Sequence, residues 1–209
     1  MLSRIAVFVS GGGTNLQALI DAQKSGILKS GQIVLVVADA ADAYALTRAR
    51  ENGIPTEVVL RKKLGGQAGF EQELLRLMEV YQIDLIILAG FMRILTANFT
   101  SKFPERIINV HPALIPSFCG KGFYGLKVHE AALAYGVKVT GATVHYVNEV
   151  PDGGKILLQK AVEVLQDDTP ERLQRRVMEQ AEWKIMPQAI RLIAEGKVRV
   201  ENGKTIITE

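Results

Sequence analysis

Apolar runs that alternate with helix-like segments are the feature that most constrains the fold of this chain. Almost wholly apolar strands are typical of parallel sheets that are covered on both faces. The alternation therefore predicts an α/β fold with a mostly parallel, twisted sheet and helices on both of its faces. The predicted strands are 3–10, 32–38, 56–60, 84–89 and 106–110, and the predicted helices between them are 15–24, 43–52, 70–81 and 96–103.

The alternation of apolar strands and helix-like segments stops after His111, and the stretch 111–127 is predicted to be irregular because it contains several prolines and glycines. The segments predicted beyond it are a helix at 128–135, strands at 141–148 and 155–164, one helix from Thr169 to about Glu195, and a hairpin at 198–208. These C-terminal strands are expected to be partly antiparallel. No repeat or long linker divides the chain, so one domain over 1–209 is predicted.

The charge and composition of the chain limit the kinds of molecule that it is expected to bind. The net charge of +3, from 25 Lys+Arg and 22 Asp+Glu, suits a small anionic substrate and is too weak to indicate nucleic acid. The first apolar run is too short to span a membrane and lacks a signal-peptide pattern. Cys119 is the only cysteine, which fits a reducing cytoplasm, and it is interpreted as a small apolar loop residue. A monomer and a homodimer both remain open.

The glycine triplet in VSGGGTNLQ (9–17) follows the first strand. Glycine loops at the carboxyl ends of parallel strands let backbone N–H groups face phosphate. The dinucleotide fingerprint is not met, because Leu16 occupies its third glycine position, and the P-loop pattern also fails. Thr14 and Asn15 at the helix start suit a terminal phosphate monoester, although Asn15 as a simple helix cap remains the alternative. Asp39 is interpreted as a turn residue.

His111 directly follows the fifth predicted strand, and Asn109 precedes it by two residues. Residues i and i+2 of a strand point to the same side, so the two side chains should project together. An amide donor and an imidazole can stabilise an oxyanion and move a proton, the two needs of acyl transfer. A strand-end pair that serves as turn and cap is the alternative. His129 is expected on an exposed helix surface, and His145 is expected to be a packed strand residue.

Asp152 lies in a VPDGG turn between two predicted strands. It is either a turn former or a carboxylate that the fold brings to His111, where it would raise the pKa of the imidazole. No serine elbow and no metal-binding motif occurs in the sequence, so neither a serine hydrolase nor a metal site is predicted.

Five segments resemble one family along 5–189. They are VSGGGTNLQ, LAGFMRIL, INVHPALIPSF, TGATVHYVNEVPDGG and AEWKIMP, in this order. INVHPALIPSF with VPDGG is similar to the folate-dependent formyltransferase superfamily, and SGGGTNLQ resembles its glycinamide ribonucleotide branch. The resemblance implies a Rossmann-like formyltransferase fold. It also implies direct transfer of a formyl group from 10-formyltetrahydrofolate to the amine of 5′-phosphoribosylglycinamide, through a tetrahedral intermediate and without a metal, in purine biosynthesis.

The resemblance also implies residue roles. Asn109, His111 and Asp152 match the catalytic trio, in which Asn109 and a protonated His111 donate to the oxyanion while Asp152 keeps His111 charged. The positions implied for the phosphate and ribose are Gly13, Thr14, Asn15 and Glu182. The positions implied for the folate are Met92, Arg93, Ile94, Leu95, Asn109, Asn148, Glu149, Val150, Pro151 and Asp152.

Some positions depart from the family pattern. Gln67 stands where many members carry an arginine near the glutamate tail of the folate, so affinity for the tail is open. Lys121 and Lys127, in a loop that is longer than in many relatives, are candidates to meet the tail carboxylates instead. A formyltetrahydrofolate hydrolase or a tRNA formyltransferase is expected to need an additional domain. A non-catalytic nucleotide-binding module is the alternative from a different class.

Overall fold

The chain forms an α/β fold whose elements follow the alternation in the sequence. A computed structural model describes residues 2–208, so Met1 and Glu209, the ends of the predicted domain, lie outside the described residues. The strands are β1 Ser3–Val9, β2 Gly31–Ala38, β3 Thr56–Val58, β4 Leu85–Leu88, β5 Ile107–His111, β6 Val139–Tyr146, β7 Ile156–Glu163, β8 Val198–Glu201 and β9 Lys204–Ile207. The helices are α1 Thr14–Lys24, α2 Tyr44–Glu51, α3 Gln67–Val80, α4 Ala97–Thr100, α5 Leu126–Tyr135, α6 Pro170–Val177 and α7 Trp183–Ala194.

Seven strands have the hydrogen-bonded order β3-β2-β1-β4-β5-β6-β7, and β8 pairs with β9 alone. β1 is parallel to β2 and β4, β2 is parallel to β3, and β6 is antiparallel to β7. The prediction of an α/β fold with a mostly parallel sheet and antiparallel C-terminal strands is therefore confirmed. The predicted C-terminal hairpin is also confirmed.

Two compact units make up the chain, one ending at Ile108 and the other beginning at Asn109. The core of the first unit is built around β1, in which every side chain from Ile5 to Val9 is fully buried. The ring of Phe8 packs edge-to-face on Phe91 at a centroid distance of 5.3 Å. Complete burial of this strand explains why its sequence shows no polar alternation. Among residues 2–208 there is no helix with the length and apolar character needed to cross a membrane.

In the second unit, the prediction of one long helix from Thr169 to about Glu195 is wrong. Thr169 does cap the start of α6, where its hydroxyl accepts a hydrogen bond from the Arg172 N–H at 3.3 Å. The helix then widens into a π-helical segment, Met178–Glu182, before α7 begins. A π-helical turn contains about one residue more than an α-helical turn. The pattern of apolar residues in the sequence does not show such a short change, so it could not locate this segment. α4 is likewise shorter than predicted, since the chain after Thr100 forms consecutive turns.

A single turn of 3-10 helix, Arg61–Leu64, precedes α3 and was not predicted from the sequence. Gly69, in the first turn of α3, lies directly against it. A Cβ at position 69 would stand 1.9 Å from the carbonyl oxygen of Leu64. The turn and the helix can therefore pack this closely only because residue 69 has no side chain.

We expect Gly69→Ala to lower the free energy of unfolding by about 2 kcal/mol, as overpacking does, although alanine has the higher helix propensity. Urea unfolding measures the change. Gly12→Ala is the matched control, because an added Cβ there meets nothing within 4 Å. A Gly69→Ala protein as stable as wild type would show that the contact with Leu64 relaxes without cost.

Candidate active site

β5 carries two of the predicted catalytic residues to the carboxyl end of a strand. Asn109 and His111 belong to this strand, and the His111 side chain is buried while Asn109 is half-buried. The strand alternation places the two side chains on one side, as the i, i+2 spacing predicts. Both therefore point from the strand end where α/β proteins build their ligand sites.

Asp152 reaches both neighbouring imidazoles from the turn between β6 and β7. One carboxylate oxygen, Oδ2, lies 3.5 Å from Nδ1 of His111, and the other, Oδ1, lies 3.5 Å from Nε2 of His145. The backbone of Asp152 has a φ of 55°, which an L residue adopts rarely and mainly in turns. Asp152 is thus both a turn residue and a neighbour of His111, so the two interpretations of the sequence are compatible.

His145 is a member of this cluster that sequence reasoning missed. Its Nδ1–H donates to the carbonyl oxygen of Tyr146 at 2.7 Å, so Nε2 carries the lone pair. That nitrogen lies 3.2 Å from Nδ2 of Asn109 and accepts its N–H. His145 therefore holds the Asn109 amide in one orientation. The apolar neighbours of His145 in the sequence indicated a packed strand residue, and they carried no signal of its polar partners.

The pKa of His111 is lower than its ordinary value overall, although Asp152 raises it as expected. Burial lowers this pKa and is the largest cause, while Asp152 and the hydrogen bond to the Phe118 carbonyl act in the opposite direction. Burial also opposes ionisation of Asp152. The nearby His145 imidazole, the hydrogen bond from the Gly120 N–H and the nearby His111 imidazole nevertheless keep the pKa of Asp152 below its usual range. The resting cluster at neutral pH is therefore an ionised carboxylate beside a neutral His111.

The loop between β5 and α5 covers this pair. The carbonyl oxygen of Phe118 accepts a hydrogen bond from His111 Nε2 at 2.8 Å, and the N–H of Gly120 donates to Asp152 Oδ2 at 2.8 Å. A substrate that contacts His111 through Nε2 must therefore displace the Phe118 carbonyl. Cys119 lies in the same loop, where burial and the charge of Asp152 raise the pKa of its thiol. This thiol is poorly suited to act as a nucleophile.

His129 is fully buried, so the prediction of an exposed surface histidine is wrong. It shares the buried face of α5 with Val128 and Ala132, and neither ring nitrogen has a hydrogen-bond partner within 2–208. Burial, with a smaller contribution from the nearby His111, lowers the pKa of His129 to about 4. Its spacing from Ala132 was a usable signal, because residues three apart share a helix face.

The glycine loop of the first unit has the tight geometry that its sequence predicts. Gly13 immediately precedes α1 with a φ of 72°, and a Cβ there would stand 2.6 Å from the Cβ of Ala45. Thr14 and Asn15 are the first two residues of the helix. Arg48, which sequence reasoning missed, donates from Nε to the carbonyl oxygen of Gly12 at 2.8 Å. A cation thus lies against a turn that precedes a helix N-terminus, and both favour an anion.

The segment Met92–Leu95, predicted to line the folate pocket, presents apolar side chains to solvent. Met92 is 51% exposed and Ile94 is 62% exposed, whereas Leu95 is buried. The main chain is held in place because the N–H of Met92 donates to the hydroxyl of Ser10 at 2.8 Å. Exposed apolar side chains on a fixed backbone are typical of a surface that binds an apolar ring system.

Arg93, within the same segment, forms an ion pair with Asp39. Its Nε lies 2.5 Å from Oδ2 of Asp39, whose side chain is almost completely buried. The interpretation of Asp39 as a turn residue is therefore incomplete, since its carboxylate also anchors Arg93. The sequence offered no signal for this pair, because 54 positions separate the two residues.

The remaining predicted site residues lie in the second unit. In the turn that carries Asp152, the N–H of Val150 donates to Oδ1 of Asn148 at 3.0 Å, and Glu149 and Pro151 complete the turn. Glu182 is buried and is the last residue of the π-helical segment. Short π-helical segments occur frequently at functional sites, because they redirect side chains relative to a regular helix.

Comparison with known proteins identifies related chains. A model of the formyl transferase family matches residues 3–190. The crystal structure of glycinamide ribonucleotide transformylase 1 from Symbiobacterium toebii is 41% identical and superposes with a TM-score of 0.92, covering 100% of this chain and 95% of that one. Phosphoribosylglycinamide formyltransferase of Haemophilus influenzae is 39% identical over 97% of this chain and 92% of its own length. The chloroplastic enzyme of Arabidopsis thaliana is 40% identical over 98% of this chain and 70% of its length.

Burial of neutral His129 makes the stability of the protein depend on pH. The folded pKa of about 4 lies below the unfolded value of 6.5, so the stabilisation is complete above pH 6.5 and is lost as the pH falls towards 4. Between pH 7 and pH 5 this loss is roughly 2 kcal/mol. We expect His129→Leu to remove it, so that the free energy of unfolding, measured in urea at both pH values, changes less than in wild type.

Glu130→Gln is the control for this measurement, because Glu130 is the exposed neighbour of His129 on α5. It should keep the wild-type dependence on pH. An unchanged pH dependence in His129→Leu would mean that the buried imidazole stays uncharged in the unfolded chain or is hydrated in the folded one.

Proposed function

The chain belongs to the formyl transferase family, and we propose that it transfers a formyl group from 10-formyltetrahydrofolate to the glycine amine of 5′-phosphoribosylglycinamide in de novo purine biosynthesis. The observation that carries the proposal is the approach of Asp152 to His111, with Asn109 held beside them by His145. We further propose a cytoplasmic enzyme that acts on these two small molecules as a monomer or homodimer, with no nucleic acid, membrane or metal involved.

Asn109 acts on the charge that develops during transfer. The substrate amine has a pKa near 8, judged from α-amino groups, so a usable fraction is uncharged at neutral pH. As this amine attacks the formyl carbon, negative charge develops on the formyl oxygen. The Asn109 amide, held by His145 at 3.2 Å, donates an N–H to this oxygen. One such preorganised donor contributes about 3 kcal/mol to the stabilisation of the transition state.

His111 accepts and returns the proton. Because burial keeps the imidazole neutral, it is a base in the resting protein, which replaces the initial picture of a protonated donor. When the Phe118 carbonyl no longer accepts from Nε2, the single ring proton must move from Nε2 to Nδ1, where it points to Asp152. Nε2 then has a free lone pair that takes the proton of the attacking amine. Asp152, 3.5 Å away, then stabilises the imidazolium until the proton moves to the leaving nitrogen.

Two segments of the chain bind the substrates, the glycine loop before α1 and the segment that follows β4. The N–H groups at the start of α1, with the Thr14 hydroxyl and the Asn15 amide, bind the phosphate, and Gly13 lets the loop turn tightly enough to present them. Met92 and Ile94 contact the folate ring system through their exposed apolar surface, while the ion pair of Arg93 and the buried side chain of Leu95 hold the segment in place.

Glu182 and the turn that carries Asp152 supply further contacts. Glu182 accepts hydrogen bonds from the ribose hydroxyls, because a carboxylate is an acceptor for two such donors. The turn formed by Asn148, Glu149, Val150 and Pro151 contacts the folate ring system beside Asp152, with Asn109 adjacent to the reacting group.

His111→Ala and Asp152→Asn should each lower turnover by at least roughly a hundredfold, as expected for loss of general acid–base catalysis. A spectrophotometric assay of folate deformylation in the presence of glycinamide ribonucleotide measures this. Asp42→Asn is the control, because Asp42 is exposed. Turnover near the wild-type rate in either catalytic variant would contradict the roles proposed for the pair.

The same assay without the ribonucleotide separates the proposal from its alternatives. We expect deformylation only when the amine is present, because the amine is the nucleophile. Turnover without it would favour a formyltetrahydrofolate hydrolase. Absence of turnover under both conditions would favour a non-catalytic nucleotide-binding module.

His145→Phe should lower kcat roughly tenfold and leave KM for the ribonucleotide within about twofold, because His145 acts through its contacts with Asn109 and Asp152 and not through the substrate. Steady-state kinetics with the same assay measure both constants, and a urea unfolding curve verifies that the variant is folded. A rise in KM without a fall in kcat would instead assign His145 to substrate binding.

A further inference from the structure

The backbone of Phe118 is strained, and it lies in the loop that covers the proposed catalytic pair. Its φ is 47°, a left-handed conformation that is unfavourable for a residue with a side chain. Residues keep such a conformation only where their surroundings hold them in it, and they cluster at functional sites. In this conformation the carbonyl oxygen of Phe118 accepts a hydrogen bond from Nε2 of His111 at 2.8 Å. The strained residue is therefore the one that contacts the proposed base.

Aromatic contacts hold Phe118 in this conformation. Its ring packs edge-to-face on Phe123 at a centroid distance of 6.3 Å, and on Tyr135, the last residue of α5, at 6.0 Å. Both distances lie in the range of favourable aromatic pairs. Two residues after Phe118, the N–H of Gly120 donates to Oδ2 of Asp152 at 2.8 Å. The ring contacts and this hydrogen bond together fix the direction of the Phe118 carbonyl.

The hydrogen bond to Phe118 determines which nitrogen of His111 carries the ring proton. A carbonyl oxygen only accepts, so Nε2 must donate, and a neutral imidazole has no second ring proton. Nδ1 is therefore left with the lone pair, although it faces Oδ2 of Asp152 at 3.5 Å, which is long for a hydrogen bond. Asp152 alone would favour the opposite tautomer, with the proton on Nδ1. In the tautomer that Phe118 selects, His111 cannot take a proton at Nε2.

We propose that Phe118 determines which nucleophile the site accepts. While its carbonyl holds His111 in the tautomer without an Nε2 lone pair, a water molecule beside the formyl group is not activated. This inference rests on the proposed function, because it concerns the same transfer reaction. Phe118 is a positioning residue in this reaction, since it acts through His111 and not on the substrate.

The reaction that Phe118 prevents is hydrolysis of the folate co-substrate. The oxygen of water would form a bond to the formyl carbon, and the bond from that carbon to the folate nitrogen would break. One proton of the water would pass through His111 to this nitrogen, giving formic acid and tetrahydrofolate. Water is always present, so an uncovered base would consume the formyl folate between turnovers.

The amine substrate can displace the carbonyl, whereas water cannot. The phosphate and ribose of this substrate form several contacts with the protein, and the free energy of this binding is available to move the loop. A single water molecule has no comparable contacts. Substrate binding that drives the assembly of the catalytic groups is a general source of specificity. Opening also relieves the strain at Phe118, because its φ can then relax.

Deformylation without the ribonucleotide, measured in variants of Phe118, tests the proposal. Phe118→Ala loses the ring contacts but keeps a Cβ, so its φ should relax and turn the carbonyl away from His111. We expect its hydrolysis rate to exceed that of wild type at least about tenfold, which is part of the full contribution of a general base. Phe118→Gly is the matched control, because it loses the same ring but adopts a positive φ without strain. It should stay within about threefold of the wild-type rate.

Further variants test the route of the effect. The double variant Phe118→Ala/His111→Ala should lose the gained hydrolysis, because His111 is the proton acceptor. Tyr135→Ala removes one ring contact from a side chain that is 80% exposed, so the variant should fold normally, and its hydrolysis rate should rise about threefold. Tyr124→Ala is its control and should match wild type, because the exposed ring of Tyr124 packs on Lys127.

NMR of the nitrogen-15-labelled free protein identifies the tautomer without any turnover. At neutral pH we expect the proton of His111 on Nε2 in wild type and on Nδ1 in Phe118→Ala. A wild-type protein with the proton on Nδ1 would overturn the proposal, and so would equal hydrolysis rates in the alanine and glycine variants. Failure of the proposed function would instead appear as absence of transfer to the ribonucleotide in wild type. The tautomer measured in the free protein would not depend on that result.

Discussion

Partial burial of the Asp152 carboxylate is the constraint on which the second unit depends. A carboxylate that is removed from water needs hydrogen-bond donors or positive charges nearby, because its desolvation otherwise destabilises the folded state. Here the Gly120 N–H donates to the carboxylate, and the imidazoles of His111 and His145 lie 3.5 Å from its two oxygens. The same contacts that make burial of this charge tolerable also fix the geometry of the reacting groups, so stability and chemistry share one set of interactions.

Competition between burial and charge decides the protonation state of the proposed base. Desolvation alone favours neutral His111, and Asp152 alone favours its charged form. The balance leaves the imidazole neutral at rest but next to a carboxylate that stabilises it once it gains a proton. A general base needs both conditions, and neither burial without Asp152 nor Asp152 without burial would provide them.

Carboxylates perform a similar positioning task in the first unit. Asp39 holds Arg93, and Glu71 holds both Gln67 and the backbone of Thr96. In each case a carboxylate on a regular element or at its end holds residues of the segment proposed to bind the folate or residues next to it. Loops can carry binding residues with precision only when a rigid scaffold restricts them in this way.

The sequence by itself determined the fold class, because a strand buried on both faces must be apolar along its whole length, and such strands alternate with helical patterns here. It also placed Asn109 and His111 on one side of a strand end, since that relation depends only on local periodicity. Only the tertiary structure decided the burial of His129, the contact between His145 and Asn109, the direction of the His111 pKa shift and the ion pair of Arg93 with Asp39. Each of these properties depends on contacts between residues that are distant in sequence. A local sequence pattern therefore cannot predict them.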